Sequence, residues 1–158
     1  MPATTAITAT LLILHVFSAV VWVGGMFFAH QVLRPAAMGL DAGPRLELWS
    51  RVLGRFFLWV IAAIAVLLAT GLTMVFSIFG GFAHLALYVQ LMMGLGIVMM
   101  LLFLHLYFAP WRRFRAAVAR RDWGEGGRQL GQIRTIVTIN LVLGVVTIAA
   151  ASGGAYWQ

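Results

Sequence analysis

The chain has 158 residues, of which 63% are hydrophobic and only 9% charged. A soluble domain carries about a quarter charged residues. A fold of this length has no interior large enough for so much apolar surface, so lipid must solvate part of it. The absence of cysteine excludes disulfides, Cys-ligated zinc, iron–sulfur clusters and a thiol nucleophile. The net charge of +7 is carried by eleven arginines with no lysine. In a soluble domain that would suggest nucleic-acid binding; here membrane topology accounts for it, and no nucleic-acid partner is expected.

The first apolar stretch covers approximately residues 7–29 and carries His15, Trp22, Gly24, Gly25 and Met26, with His30 at its end. It is longer than the ~7–15 residues of a signal-peptide core, and no basic residue precedes it, so it reads as a mature first transmembrane helix. Residues 31–55 follow as a charged window containing Arg34, Arg45, Arg51, Arg55, Asp41 and Glu47. The second apolar stretch is 56–78. A connection around 79–82 has no charged side chain.

The third stretch, 83–108, contains His84, Gln90, His105 and four methionines, Met92, Met93, Met99 and Met100. Pro110 ends or bends it. The second charged window, 110–134, holds Arg112, Arg113, Arg115, Arg120, Arg121, Arg128, Arg134, Asp122 and Glu125. Within it, Trp111, Phe114 and Val118 recur at helical spacing between arginines, the pattern of an amphipathic helix lying in the membrane interface. The fourth stretch, 136–155, contains Asn140 and Gly144.

Each apolar stretch meets the ~20 residues a helix needs to cross the hydrocarbon core, and the short alternating segments of a barrel are absent. The expected fold is therefore all-α: one domain, 1–158, an integral membrane bundle of four transmembrane helices. Arg-rich loops stay in the cytoplasm, which places 31–55 and 110–134 inside and both termini outside. Trp49, Trp59, Trp111, Trp123, Tyr156 and Trp157 stand near the expected boundaries, as interfacial anchors do. Gly94, Gly96 and Gly144 are candidates for close helix approach. Asn140 is expected to hydrogen-bond across helices.

Ionisable residues inside a bilayer are functional candidates, and the four histidines sit on the first and third helices only. His15 and His30 are about 22 Å apart along the axis and His84 and His105 about 31 Å, each pair separated by about 60° around the helix. His30 and His105 thus share a depth near the Arg-rich side. In one reading they are axial ligands of a haem, with Arg34 and Arg134 (or Arg112 and Arg113) meeting its propionates. A second site would be built on His15, with Met93, Met74 or His84 as partner. In the other reading His30 and His84 reach to water, and His15 and His105 are packed and hydrogen-bonded. The methionines serve either as copper(I) thioether ligands or as core filling. Both Asp and both Glu lie in the charged windows, no Ser–His–Asp set exists, and no Gly-rich phosphate loop appears, so no hydrolase or ATPase signature is present.

The stretch His15-Val-Phe-Ser-Ala-Val-Val-Trp22-Val-Gly24-Gly25-Met26 resembles the first-helix signature of the copper-resistance D (CopD) family. Leu33-Arg34-Pro35-Ala36-Ala37, Gly54-Arg55-Phe56-Phe57, Thr70-Gly71-Leu72, His105-Leu-Tyr-Phe-Ala-Pro110 and Ile133-Arg134 with Asn140-Leu-Val-Leu-Gly144 are similar to its small stand-alone members. The resemblance implies a helical bundle of the bacterial inner membrane, termini periplasmic, linked to copper uptake or resistance. The His-x6-Trp-x-Gly pattern is also similar to HemJ-type protoporphyrinogen oxidases, which bind haem b and carry a helix-three lysine; Gln90 stands at about that place here.

Three functions follow. The leading expectation is a haem b protein passing electrons between a quinol or a redox partner protein and an acceptor, with haem between the first and third helices. The alternative is a copper-binding or copper-transporting protein using His15, His30, His84, His105 and Met93. The third is a structural or assembly subunit without cofactor. Beyond the lipid bilayer, self-association into a homo-oligomer stays open.

Overall fold

The computed structural model describes residues 2–154, with side chains described for 5–154. The six α-helices are α1 (Pro2–Phe28), α2 (Arg34–Ala37), α3 (Ala42–Ser77), α4 (Leu87–Phe108), α5 (Pro110–Ala119) and α6 (Trp123–Gly153). A π-helical turn, Ala29–Leu33, joins α1 to α2, and a 3₁₀ turn, Phe82–His84, precedes α4. Four helical stretches are long and apolar enough to cross a membrane: Thr5–Ala37, Ala42–Ser77, Leu87–Ala119 and Trp123–Gly153. The expected segment 136–155 and the anchors Tyr156 and Trp157 reach beyond the described residues.

The helices run well into the charged windows expected as loops. With 36 residues, α3 is about 54 Å long against a hydrocarbon core of ~30 Å, longer than an upright crossing needs. Hydropathy falls where arginines enter, but the helix continues because a buried stripe continues: Leu46, Trp49, Leu53, Phe57 and Val60 recur at three- and four-residue intervals. In α6, Gly126, Gln129, Leu130 and Ile133 do the same ahead of Asn140, Leu141 and Gly144.

Local chemistry explains the breaks. Pro35 has no N–H and would crowd the carbonyl four residues back; the π turn, in which the Arg34 N–H bonds to the Ala29 carbonyl, lets the chain continue. Pro110 occupies the first turn of α5, where a missing N–H costs nothing. α5 ends at Ala119; Arg121, just past its cap, has a φ of 57° in the left-handed region, and Asp122 Oδ1 then caps α6 by accepting the Glu125 N–H at 3.0 Å.

The most extensive packing is α1 on α3 and α4 on α6, with α5 laid on α6. The first and third transmembrane helices, α1 and α4, meet across an aromatic cluster. The Phe57 ring lies 5.6 Å from Phe103, 5.1 Å from Trp111 and 6.2 Å from Tyr107, each edge-on. Trp22 lies 6.2 Å from Phe103. Such pairs contribute about 0.5–1.5 kcal/mol each beyond burial. Trp111 and Phe114 are buried, with Ala117 beneath them. The amphipathic helix α5 thus turns its apolar face to protein, not to the interface. Trp49 is buried too, whereas Trp59 is 64% exposed. Around the bundle a belt of exposed apolar side chains, among them Ile13, Phe17, Leu58, Leu101 and Val142, is the surface a bilayer would cover.

Gly144 permits the close approach expected of it: a Cβ there would lie 2.7 Å from Val23 Cγ2 and 3.3 Å from Met99 Cε. Gly94 and Gly96 do not serve this way, since a Cβ on either meets nothing within 4 Å. The glycine of α1 that does is Gly25, whose missing Cβ leaves room for the Phe56 ring.

Candidate functional site

His15 is half-buried on α1 and faces α3. Its Nδ1 lies 2.8 Å from Thr70 Oγ1, and Thr70 Oγ1 lies 2.7 Å from the Val66 carbonyl. A hydroxyl has one proton. Where Thr70 gives it to Val66, its lone pairs accept from His15, and the imidazole proton then sits on Nδ1. In that tautomer Nε2 carries the free lone pair, the state required of a metal ligand whose other nitrogen is held by the surrounding structure. Gly71 completes the seat, because a Cβ there would stand 3.3 Å from His15 Cε1. Ser18, one turn on from His15, spends its hydroxyl on the Leu14 carbonyl at 2.8 Å. Met74 follows Thr70 by four residues, hence on the same face of α3, and is half-buried.

A second constellation lies at the Arg-rich end. Arg34 on α2, Arg45 on α3 and Arg134 on α6 line a cavity of about 260 Å³ together with Met38, Leu46 and Trp49. A narrower cleft continues from it, sharing Arg34, Trp49 and Arg134 and adding His30, Phe56 and Val137. The three guanidiniums are close enough that Arg34 and Arg45 both repel Arg134. The two salt bridges among the described residues are Arg51–Glu47 and Arg128–Glu125, so none of the three is neutralised by a carboxylate.

The other sequence candidates are dispersed. His105 is exposed on α4 and lines neither cavity, while His30 lines the narrow cleft; the proposed axial pair shares no described space. His84 is exposed in the 3₁₀ turn, Met93 is exposed on α4, and Arg112 and Arg113 are exposed on α5. Gln90 donates to the Leu85 carbonyl at 2.9 Å, closing the start of α4. Asn140 donates from Nδ2 to the Met99 carbonyl at 3.2 Å, joining α6 to α4 as expected. Among the described residues no group of three or more His, Cys, Asp or Glu gathers to hold a metal.

Arg34 and Arg134 are expected from sequence at this end of the bundle, whereas Arg45 and Trp49 join them only in the folded chain. His15 is expected as a ligand, whereas its tie to Thr70 and Gly71 is a product of the fold. The Thr70-Gly71-Leu72 stretch, one of those carrying the family resemblance, was the signal that bore on it.

A family model described as Copper resistance protein D matches residues 50–153. The match takes in most of α3 and all of α4, α5 and α6 down to the last residue of α6, and leaves α1 with its His-Trp-Gly-Gly stretch outside. No curated protein and no solved structure matches the chain.

Proposed function

The chain belongs to the copper resistance protein D family, and from that premise we propose that it handles copper ions as cargo in the bacterial inner membrane, with His15 as the key ligand. The observation that carries this reading is the His15–Thr70 hydrogen bond. It holds Nδ1, and with the imidazole proton there Nε2, a donor suited to copper, is free. Met74, on the Thr70 face of α3, would supply a soft thioether beside the imidazole. A site of few ligands suits cargo rather than a resident cofactor: passage requires binding strong enough to capture an ion and weak enough to release it. By the positive-inside rule the Arg-rich end faces the cytoplasm and His15 lies in the outer half.

The haem reading would need His30 and His105 to face one space. With His105 exposed and His30 in the Arg-rich cleft, copper is the better-supported function.

Anaerobic titration of the purified protein with copper(I), in competition with a chromophoric chelator, tests this. Wild-type protein should take up copper(I), and His15→Ala should weaken binding at least tenfold. Unchanged affinity in His15→Ala, or no uptake by the wild type, refutes the assignment. A Soret band in the purified wild type would restore haem in its place.

A further inference from the structure

The Arg-rich cavity has features that copper handling does not use. A cation site would not be walled by three arginines. Each of Arg34, Arg45 and Arg134 is half-buried, none is paired with a carboxylate among the described residues, and Arg34 and Arg45 both repel Arg134. Clustered, desolvated cations of this kind are stabilised by a bound anion. Guanidinium forks match phosphate geometry, which marks phosphate as the chemistry.

The surroundings narrow the source. The cavity, about 260 Å³, is slightly below the ~300–1,000 Å³ of typical small-molecule sites, and suits a headgroup better than a macrocycle. Trp49, Met38 and Leu46 form apolar walls beside the arginines. The cleft that continues from it along α3 and α6 is lined by Leu53, Phe56, Ile133 and Val137, apolar side chains on helices long and apolar enough to cross a membrane. A charged chamber opening into an apolar cleft is complementary to an amphiphile with an anionic head. Basic pockets between transmembrane helices take anionic lipid headgroups in this way.

We propose that Arg34, Arg45 and Arg134 form a binding site for the phosphate headgroup of an anionic phospholipid, whose acyl chain lies along the cleft between α3 and α6. The site joins α2, α3 and α6, so the lipid bridges the first, second and fourth membrane-crossing stretches at their charged end. It stands independently of the copper reading.

Native mass spectrometry of the detergent-solubilised full chain tests it, with phosphatidylglycerol, phosphatidylcholine of the same acyl chains, and inorganic phosphate added separately. Phosphatidylglycerol should bind at least tenfold more tightly than phosphatidylcholine. Arg34→Gln and Arg134→Gln should each reduce that binding about tenfold or more. Arg115→Gln should leave it unchanged, because the Arg115 guanidinium lies 5.8 Å from the Trp111 ring centre and lines neither cavity. In lipid-free detergent the two glutamine variants should be no less stable than wild type, since they relieve repulsion; a merely structural role would lower their melting temperature. Should Arg134→Gln not fold, Arg45→Gln, in the first turn of α3, reads the same site. Equal binding of the two lipids, or variants that bind like wild type, overturns the proposal. Binding of inorganic phosphate that phosphatidylglycerol does not displace overturns the lipid assignment in favour of a free anion, and co-purified haem lost in Arg134→Gln overturns it in favour of a porphyrin.

Discussion

His15 and Thr70 are joined across the α1–α3 interface by a 2.8 Å hydrogen bond between the imidazole Nδ1 and the threonine hydroxyl. The hydroxyl also lies within donating distance of the Val66 carbonyl, and where its proton goes there, the imidazole proton sits on Nδ1. Thr70 is buried, and the pair sits in the stretch a bilayer would cover, where water cannot substitute for a lost partner.

Thr70→Val keeps the shape of the side chain and removes the acceptor. The His15 Nδ1–H is then stranded, which costs about 1–3 kcal/mol for a buried donor; interhelical bonds in membranes average nearer ~0.6 kcal/mol. The expected loss is about 1 kcal/mol in reversible unfolding from mixed micelles. Copper(I) affinity should fall with it, because the imidazole becomes free to change tautomer. Thr70→Ser should retain both properties. A valine variant that binds copper(I) as the wild type does would show that the hydroxyl has no orienting role.

Gly144 and Gly94 should respond oppositely to alanine. At Gly144 the new Cβ would lie 2.7 Å from Val23 Cγ2, and a β-branched valine has few rotamers into which to retreat. Overpacking costs about 1–3 kcal/mol, against a helix-propensity gain of ~1 kcal/mol, so Gly144→Ala should be net destabilising by about 1 kcal/mol. Gly94 has nothing within 4 Å of the added Cβ, so Gly94→Ala should be neutral or stabilising by up to ~1 kcal/mol. Parallel thermal melts decide it: equal shifts of the same sign would show that Gly144 is not a contact glycine.

These two glycines mark how far the sequence was legible. Span number followed from apolar length, and the amphipathic stripe of α5 from the spacing of Trp111 and Phe114, though not that the stripe is buried against protein rather than in the interface. Both are properties of one helix read along its own axis. The aromatic cluster of Trp22, Phe57, Phe103 and Trp111 depends on how four helices are rotated against one another, and hydropathy carries no such information. For the same reason Gly94 and Gly144 look alike in sequence, and His105 was expected to meet His30 when it is exposed on α4. The convergence of Arg45 with Arg34 and Arg134 was hidden because residues 42–55, expected to be a loop, continue α3 and carry Arg45 beside α6.

Arg121, just past the cap of α5, lies in the left-handed region with φ 57°, a conformation glycine adopts freely and a side chain with a Cβ does not. The corner is held by the Asp122 N–H bonded to the Ala117 carbonyl at 3.0 Å. Arg121→Gly removes the strain and is expected to stabilise the protein by up to about 1 kcal/mol, less the entropy glycine adds to the unfolded chain. Arg121→Val should destabilise it, because β-branching makes the left-handed region harder to reach. Denaturation midpoints of the two variants should bracket the wild type; a valine variant as stable as the glycine one would mean that this corner bears no strain.

Asn140 is buried on α6 and half-satisfied: Nδ2 donates to the Met99 carbonyl, while Oδ1 has no hydrogen-bond partner among the described residues. An acceptor stranded at this depth is costly, so the net contribution of Asn140 is its single interhelical bond less that penalty. Asn140→Leu removes both terms and fills similar volume. It should stay within about 1 kcal/mol of wild type, as replacing a polar group by an apolar one of like shape is often near neutral. Asn140→Ala removes the same groups but leaves a cavity beside Met99, and should lose about 2 kcal/mol or more. The ordering is the test. If leucine loses as much as alanine, the amide is making more than the one bond, and Oδ1 must then be occupied by a water, an ion or a ligand in the working protein.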